Sequence, residues 1–95
     1  MAFYVYMLAS RRNGTLYVGM TDDLARRIDQ HRSGSLSGFT RKYHVSRLVW
    51  CEAHETRETA FVRERQIKEW RRSWKLELIE ASNPAWVDLY GTLHL

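Results

Sequence analysis

Residues 16–31 read LYVGMTDDLARRIDQH, and within this stretch the pattern of apolar residues changes from that of a strand to that of a helix. The segment Leu16 to Gly19 is predicted to be a short strand. Thr21 or Asp22 can cap a helix that continues to about Ser33, with acidic residues in its first turn. A strand that leads directly into an amphipathic helix places this segment in an α+β fold.

A hairpin is predicted on the N-terminal side of this stretch. Phe3 to Ala9 is a β-branched and aromatic run that is typical of a strand. Asn13-Gly14 is a strong turn signal, because both residues tolerate positive φ. A two-residue loop at this point would place Leu8 opposite Gly19.

On the C-terminal side, one more strand and two more helices are predicted. These elements are a strand from Arg47 to Ala53, a helix from a Thr56 cap to about Arg72, and a helix from a Ser73 cap through Trp74 to Ser82. The tail, residues 85–95, is apolar enough to pack back on the domain. The predicted class is α+β: a small three-stranded antiparallel or mixed sheet flanked by about three helices, in a single domain over residues 1–95.

Composition and charge limit the classes of function. Fifteen Lys and Arg against eleven Asp and Glu give a formal charge of +4, which mildly favours a polyanionic partner. The single cysteine, Cys51, excludes an internal disulfide and a cysteine-based zinc site. No apolar run approaches the length of a membrane span, and the N-terminus lacks a basic leader. We therefore expect a cytoplasmic protein with no membrane partner.

One face of the predicted hairpin carries phenols. Because alternate residues and cross-strand partners share a face, Tyr4, Tyr6, Leu8, Tyr17 and Gly19 lie together. Gly19 contributes no side chain, which leaves space beside the tyrosines. The tyrosines are either ordinary strand aromatics or parts of a site.

The first helix places a cation and an imidazole on its apolar face. Leu24, Ile28 and His31 follow the i, i+4, i+7 spacing, and Arg27 falls within the same arc. An arginine on the sheet-facing side must find an anion there or reach water at the edge. Arg27 is therefore either a snorkelling side chain, with His31 at the boundary, or a ligand for an anionic substrate.

The second helix shows the same pattern with the opposite charge. Glu64 shares a face with Ala60 and Ile67, and buried carboxylates are rare unless they are paired or bound to a metal. Glu64 can also pair with Lys68, four residues on. Phenols, a guanidinium, an imidazole and one carboxylate, on surfaces expected to face each other, are suited to metal-assisted phosphodiester hydrolysis.

Other cationic and aromatic residues could serve either in nucleic-acid binding or in packing and solvation. The segment from Arg41 to Tyr43 is basic and aromatic, and it is either a backbone-tracking, base-stacking stretch or a solvated loop. We interpret Trp70, Trp74 and Trp86 as packing residues rather than stacking platforms. The candidate nucleic-acid contacts are Arg27, Arg41, Lys42, Tyr43 and Lys68.

Taken together, these residues resemble the GIY-YIG nuclease superfamily, in particular its small stand-alone members of bacterial type. Tyr4-Val5-Tyr6 stands where the family has GIY, and Tyr17-Val18-Gly19 stands where it has YIG. The resemblance covers nearly the whole chain, in the same order and spacing. The other site positions of the family correspond to Arg27, His31, Glu64 and Asn83.

The resemblance implies a divalent-metal-dependent endonuclease that transfers the phosphoryl group directly to water. Glu64 would be the only direct protein ligand of a Mg²⁺ or Mn²⁺ ion, and Arg27 would contact the scissile phosphate. Tyr17, or alternatively Tyr6, would deprotonate or orient the attacking water. The resemblance further implies that His31 holds a tyrosine or this water, and that Asn83 is a structural or supporting residue.

The chain departs from the family pattern at two positions. Tyr4 stands at the first glycine of GIY, and Met20 stands where some relatives carry a polar or basic residue that assists the chemistry. The implied substrate is DNA rather than RNA, in repair or recombination. The alternative function is a catalytically inactive nucleic-acid-binding or protein-interaction module with the same fold.

Overall fold

The computed structural model describes residues 2–33, 38 and 42–94. Within them, three strands form one antiparallel sheet in the order β2-β1-β3. This confirms the predicted α+β class and resolves the sheet as antiparallel. Arg41, a predicted nucleic-acid contact, lies outside the described residues. The elements are β1 (Phe3–Ala9), β2 (Leu16–Thr21), α1 (Leu24–Ser33), β3 (Arg47–His54), α2 (Arg57–Glu69), α3 (Arg72–Ser82) and a 3₁₀ helix (Leu89–His94).

The register of the hairpin differs by two residues from the prediction. Gly19 pairs with Tyr6 rather than with Leu8. The physical reason lies in the turn, where Asn13 takes a φ of +57° but Gly14 does not enter the left-handed region. A two-residue hairpin turn of type I′ needs positive φ at both residues, so a longer loop forms. Because the shift is two residues, every side chain stays on its predicted face.

Each face of the sheet has its own hydrophobic core. Leu24 and Ile28 of α1 pack on the face that carries Tyr6, whereas Ala60 and Ile67 of α2 pack on the opposite face. Burial of a Leu or Ile side chain stabilises a fold by about 1.5–3 kcal/mol, so these contacts hold each helix to its own face. Of the surfaces predicted to face each other, those of the hairpin and α1 do so, whereas α2 packs on the opposite face of the sheet.

The cap of α1 also differs from the prediction. Neither Thr21 nor Asp22 is the capping residue, because the side chain of Asp23 accepts the N–H of Arg26 at 3.2 Å. The hydroxyl of Thr21 accepts the N–H of Asp23 at 3.1 Å and so fixes the residue that caps the helix. The helix consequently begins at Leu24.

The break between α2 and α3 falls earlier than predicted. Trp70 has extended backbone angles, φ −66° and ψ 149°, and its N–H donates to the carbonyl of Ile67. Arg71 is the residue that precedes α3, so Ser73 lies inside that helix and does not cap it. None of the helices in the described part of the chain is long and apolar enough to cross a membrane.

The C-terminal tail packs back on the domain, as predicted. The carboxylate of Asp88 pairs with Arg32 of α1 and accepts the N–H of Leu48 in β3 at 3.3 Å. The hydroxyl of Tyr90 donates to Asp29, also on α1. The tail thus joins α1 to β3 and holds in place the helix that carries two of the predicted site residues.

Candidate active site

Three side chains, Tyr6, Tyr17 and His31, form an aromatic cluster between the hairpin and α1. Tyr6 Oη and His31 Nε2 are 3.1 Å apart in a buried hydrogen bond. The rings of Tyr17 and His31 meet edge to face at 5.2 Å, and those of Tyr6 and Tyr17 are 6.3 Å apart. The fold therefore brings together three of the predicted site residues.

Gly19 makes room for the aromatic cluster. A Cβ atom at this position would lie 2.5 Å from Tyr6 Oη and 3.0 Å from Tyr17 Cε2. These distances are shorter than a carbon atom tolerates, and the contacted atoms belong to rings that are packed against His31. The glycine is thus required for space. It is not required for its backbone angles, since Gly19 does not enter the left-handed region.

Gly19→Ala should destabilise the fold by about 1–3 kcal/mol, since the added methyl group overpacks a closed site. The methyl group should also displace Tyr6 from His31. Urea denaturation measures the loss, and Gly91→Ala is the matched control because a Cβ there meets no atom within 4 Å. Equal midpoints for Gly19→Ala and the wild type would show that the cluster is not tightly packed.

Burial sets the protonation states within the cluster. It raises the pKa of Tyr6 well above the usual phenol value, with Tyr17 and Glu64 adding to the rise and Arg27 opposing it. Burial, and then the charge of Arg27, lower the pKa of His31. At neutral pH the phenol of Tyr6 and the imidazole of His31 are therefore both uncharged, and the hydrogen bond joins two neutral groups. Of the two tyrosines left open by the sequence, Tyr6 is poorly suited to lose its proton.

The charge of Arg27 acts on the aromatic cluster. The residue is half-buried, and its charge lowers the pKa of both Tyr6 and His31. The ion pairs found among the described residues do not include it. It borders a polar cavity of about 260 Å³ that also contains Asp22 and Asp23. A half-buried guanidinium without a carboxylate partner is available to bind a phosphate.

Glu64 combines burial with the Lys68 ion pair that the sequence allowed, and its role as a metal ligand stays a prediction. Its side chain is 11% exposed, and its Oε2 lies 3.3 Å from Nζ of Lys68, a side chain that is 49% exposed. The carboxylate is therefore buried and paired. Its charge also raises the pKa of Tyr6, so Glu64 acts on the aromatic cluster even though α2 packs on the other face of the sheet.

The donor set at Glu64 fits Mg²⁺ or Mn²⁺ rather than a metal held in an all-protein cage. Within the described residues there is no group of three or more His, Cys, Asp or Glu side chains that could hold an ion. Mg²⁺ dehydrates reluctantly and commonly binds through one or two carboxylates and substrate phosphates while it keeps several waters. The single buried carboxylate of Glu64 can supply the one protein ligand that such a Mg²⁺ or Mn²⁺ ion needs.

Asn83 has a structural environment away from the aromatic cluster. Its Nδ2 donates to the carbonyls of Val49 at 3.1 Å and Val87 at 2.8 Å, and its Oδ1 accepts the N–H of Val87 at 3.0 Å. Val49 lies where the register between β1 and β3 skips a residue. The amide therefore satisfies main-chain groups that the sheet leaves open, and it ties the tail to β3.

The remaining predicted contacts differ in exposure. Lys42 and Tyr43 are exposed, and the Lys42 ammonium lies 5.5 Å from the centroid of the Tyr43 ring. Trp86 is fully buried, as a packing residue should be. Trp74 is 47% exposed, so it packs only in part. The sequence signal for an exposed surface at Trp74 is the set of basic residues that precedes it, Arg63, Arg65 and Arg71.

Comparison with known proteins identifies relatives over most of the chain. A family model described as the GIY-YIG catalytic domain matches residues 2–77, which includes the aromatic cluster, Arg27 and Glu64 but not Asn83. A UPF0213 protein of Haloquadratum walsbyi is 36% identical over 77 residues, covering 81% of this chain and 85% of the relative. A UPF0213 protein of Staphylococcus saprophyticus is 34% identical over 76 residues, covering 80% and 92%.

The fold is also similar to a solved structure. The solution NMR structure of a UPF0213 protein from Bacillus halodurans superimposes with a TM-score of 0.58 at 33% sequence identity. The similarity covers 93% of each chain. The three-stranded antiparallel sheet and its helices are thus shared with a relative of nearly the same extent.

Proposed function

Because this chain belongs to the GIY-YIG catalytic-domain family, we propose that it is a divalent-metal-dependent endonuclease that hydrolyses phosphodiester bonds in DNA. The proposal includes a cytoplasmic location and a single functional domain over residues 1–95. The supporting observation is the aromatic cluster itself. Gly19 leaves space for Tyr6, whose hydroxyl lies 3.1 Å from Nε2 of His31, and the ring of Tyr17 meets the same imidazole edge to face.

Two charged side chains would act on the scissile phosphate, one directly and one through a metal ion. Arg27 would bind the scissile phosphate through its planar fork of N–H groups and stabilise the charge that builds up during attack. Glu64 would hold Mg²⁺ or Mn²⁺, which when bound would supply Lewis-acid stabilisation of the same charge. In the structure, Lys68 pairs with the carboxylate of Glu64. Its largely exposed ammonium group can turn to a backbone phosphate when Glu64 holds an ion.

The aromatic cluster would orient the attacking water and remove its proton. Tyr17 is the better candidate for this step, because it is half-buried whereas burial raises the pKa of Tyr6. Tyr6 would keep its proton and, through the bond to His31, hold the imidazole and the ring of Tyr17 in place. In this proposal Tyr6 is a positioning residue, and so is Asn83, which fixes the tail.

Further contacts would hold the nucleic acid on either side of the scissile bond. Lys42 and Tyr43 are exposed neighbours that combine a cation with an aromatic ring, the pairing that suits a phosphate and a base. Arg41, next to them in sequence, stays a predicted contact. We propose DNA rather than RNA as the substrate and repair or recombination as the setting.

Cleavage of end-labelled single-stranded, duplex and branched DNA tests the proposal. We expect cleavage with Mg²⁺ or Mn²⁺ and none in EDTA, and the activity should co-elute with the chain on size-exclusion chromatography. Metal should also raise the melting temperature, because an ion that binds only the folded state stabilises it. DNA binding without cleavage in any metal would instead identify an inactive nucleic-acid-binding module. If the chain neither binds nor cleaves DNA, the protein-interaction module is the remaining alternative.

A further inference from the structure

Two tryptophans form an exposed surface where α2 passes into α3. Trp70 and Trp74 meet edge to face with their rings 6.1 Å apart. The guanidinium of Arg71 lies 5.0 Å from the centroid of the Trp74 ring. We name Trp70, Arg71 and Trp74 the tryptophan surface. Trp74 is 47% exposed, so its ring is accessible to a ligand.

The fold holds Trp70 in place but leaves Arg71 without a carboxylate partner among the described residues. Trp70 is half-buried and packs against the core, and Arg63 lies 5.4 Å from its ring while Glu52 holds that arginine at 3.1 Å. Arg71 has no such partner: its side chain makes no capping bond to α3, and it forms no ion pair among the described residues. Its charge is therefore available to a ligand.

The net positive charge of the chain lies in the sequence segment that contains the tryptophan surface. Residues 63–75 contain six basic and two acidic residues, whereas the rest of the chain has nine of each. Burial and the neighbouring Arg72 lower the pKa of Lys75, and Lys75 Nζ donates to the carbonyl of Lys68 at 3.4 Å. A cationic band thus runs from the tryptophan surface to Lys68, the partner of Glu64.

The shape beside the tryptophans suits a flat ring. Trp70, Trp74, Glu77 and Leu78 line a cavity of about 370 Å³, a size within the usual range of small-ligand sites. The carboxylate of Glu77 repels phosphates from this wall, so a base rather than the backbone would enter. The backbone would then follow Arg71 and Lys75.

We propose that the tryptophan surface binds an unpaired nucleotide of the substrate by stacking its base on Trp74. This inference rests on the proposed function and adds that the preferred DNA has a single-stranded segment next to the cleavage site. A paired base cannot reach the cavity, because its faces are stacked within the duplex. A second copy of the chain suits this surface less well, since it would bring two cationic bands together.

Equilibrium binding to labelled oligothymidylate, followed by fluorescence anisotropy in EDTA, tests the inference without any cleavage. Trp74→Ala should weaken binding about tenfold, since stacking on one aromatic side chain contributes that much or more. Trp74→Phe keeps a ring and should retain most of the affinity. Arg71→Ala should lower the dependence of binding on salt by about one phosphate contact. Duplex of matching length should bind equally to the wild type and Trp74→Ala.

Phe61→Ala is the matched control, because Phe61 is also exposed and lies beneath a guanidinium, that of Arg65, but lines no part of the cavity. It should bind oligothymidylate like the wild type. Equal losses in Phe61→Ala and Trp74→Ala, or no loss in Trp74→Ala, would overturn the inference. Self-association that Trp74→Ala abolishes, without a change in DNA binding, would identify a dimer interface instead. Because binding is read in EDTA, an inactive protein that binds as expected would contradict only the proposed cleavage.

Discussion

Glu64→Gln should reduce cleavage to the level seen in EDTA while the chain stays folded. The substitution keeps the size of the side chain and removes the negative charge, which is the property a hard divalent cation requires. Loss of a supporting residue behind a metal ligand typically weakens metal binding 10–100-fold, so loss of the ligand itself should weaken it by more than about 100-fold. The expected effect is therefore loss of the metal rather than a slower reaction with metal bound.

Stability should change little in Glu64→Gln. The substitution removes the ion pair with Lys68, whose side chain is 49% exposed whereas that of Glu64 is 11% exposed. Because the lysine can turn to water and the amide keeps the size of the side chain, no unpaired charge is left buried. Glu69→Gln is the matched control, since Glu69 is an exposed carboxylate on the same helix. Cleavage rates and the metal-induced shift in melting temperature should fall together in Glu64→Gln and remain in Glu69→Gln. An unchanged metal-induced shift in Glu64→Gln would place the ion elsewhere.

The faces of the sheet could be predicted from sequence, and the register of the hairpin could not. Side chains alternate along a strand regardless of loop length, so Tyr6 and Tyr17 were assigned correctly to one face. Register depends on the backbone angles of the turn, and only Asn13 takes positive φ. The observed register places Gly19 opposite Tyr6, and this pairing creates the space for the phenol.

The relation between helices was harder to predict than the face that each helix buries. Helical spacing identified Ile28 and Ile67 as core residues of α1 and α2. It carries no information about which side of the sheet each helix covers, and the two helices lie on opposite faces. The charges of Arg27 and Glu64 nonetheless act on one phenol, although the helices that carry them cover opposite faces of the sheet.

Aromatic residues near helix ends were the least predictable. Trp74 and Trp86 have the same side chain, yet one is 47% exposed and the other fully buried. Trp74 lies just after the break at Trp70, which ends α2 earlier than its spacing predicts. An end that is set by tertiary packing of a half-buried side chain has no local signal in the sequence.

Arg27→Ala should slow cleavage by about 10²–10³-fold, the typical cost of losing one group that stabilises charge in the transition state. Arg27→Lys should recover only part of the rate, because an ammonium keeps the charge and lacks the planar fork that binds two phosphate oxygens. Neither variant should unfold, since Arg27 is half-buried and forms no ion pair with the described residues.

Arg26→Ala is the control that separates position from charge. Both arginines border the same polar cavity, but Arg27 alone of the two acts on Tyr6 and His31. Because Arg27 lowers the pKa of His31, an NMR titration of the imidazole should give a higher pKa in Arg27→Ala and an unchanged one in Arg26→Ala. Equal loss of cleavage in the two variants would mean that the arginines act only through net charge. Loss in Arg27→Ala alone, together with the shifted titration, would place the guanidinium at the reacting phosphate beside the aromatic cluster.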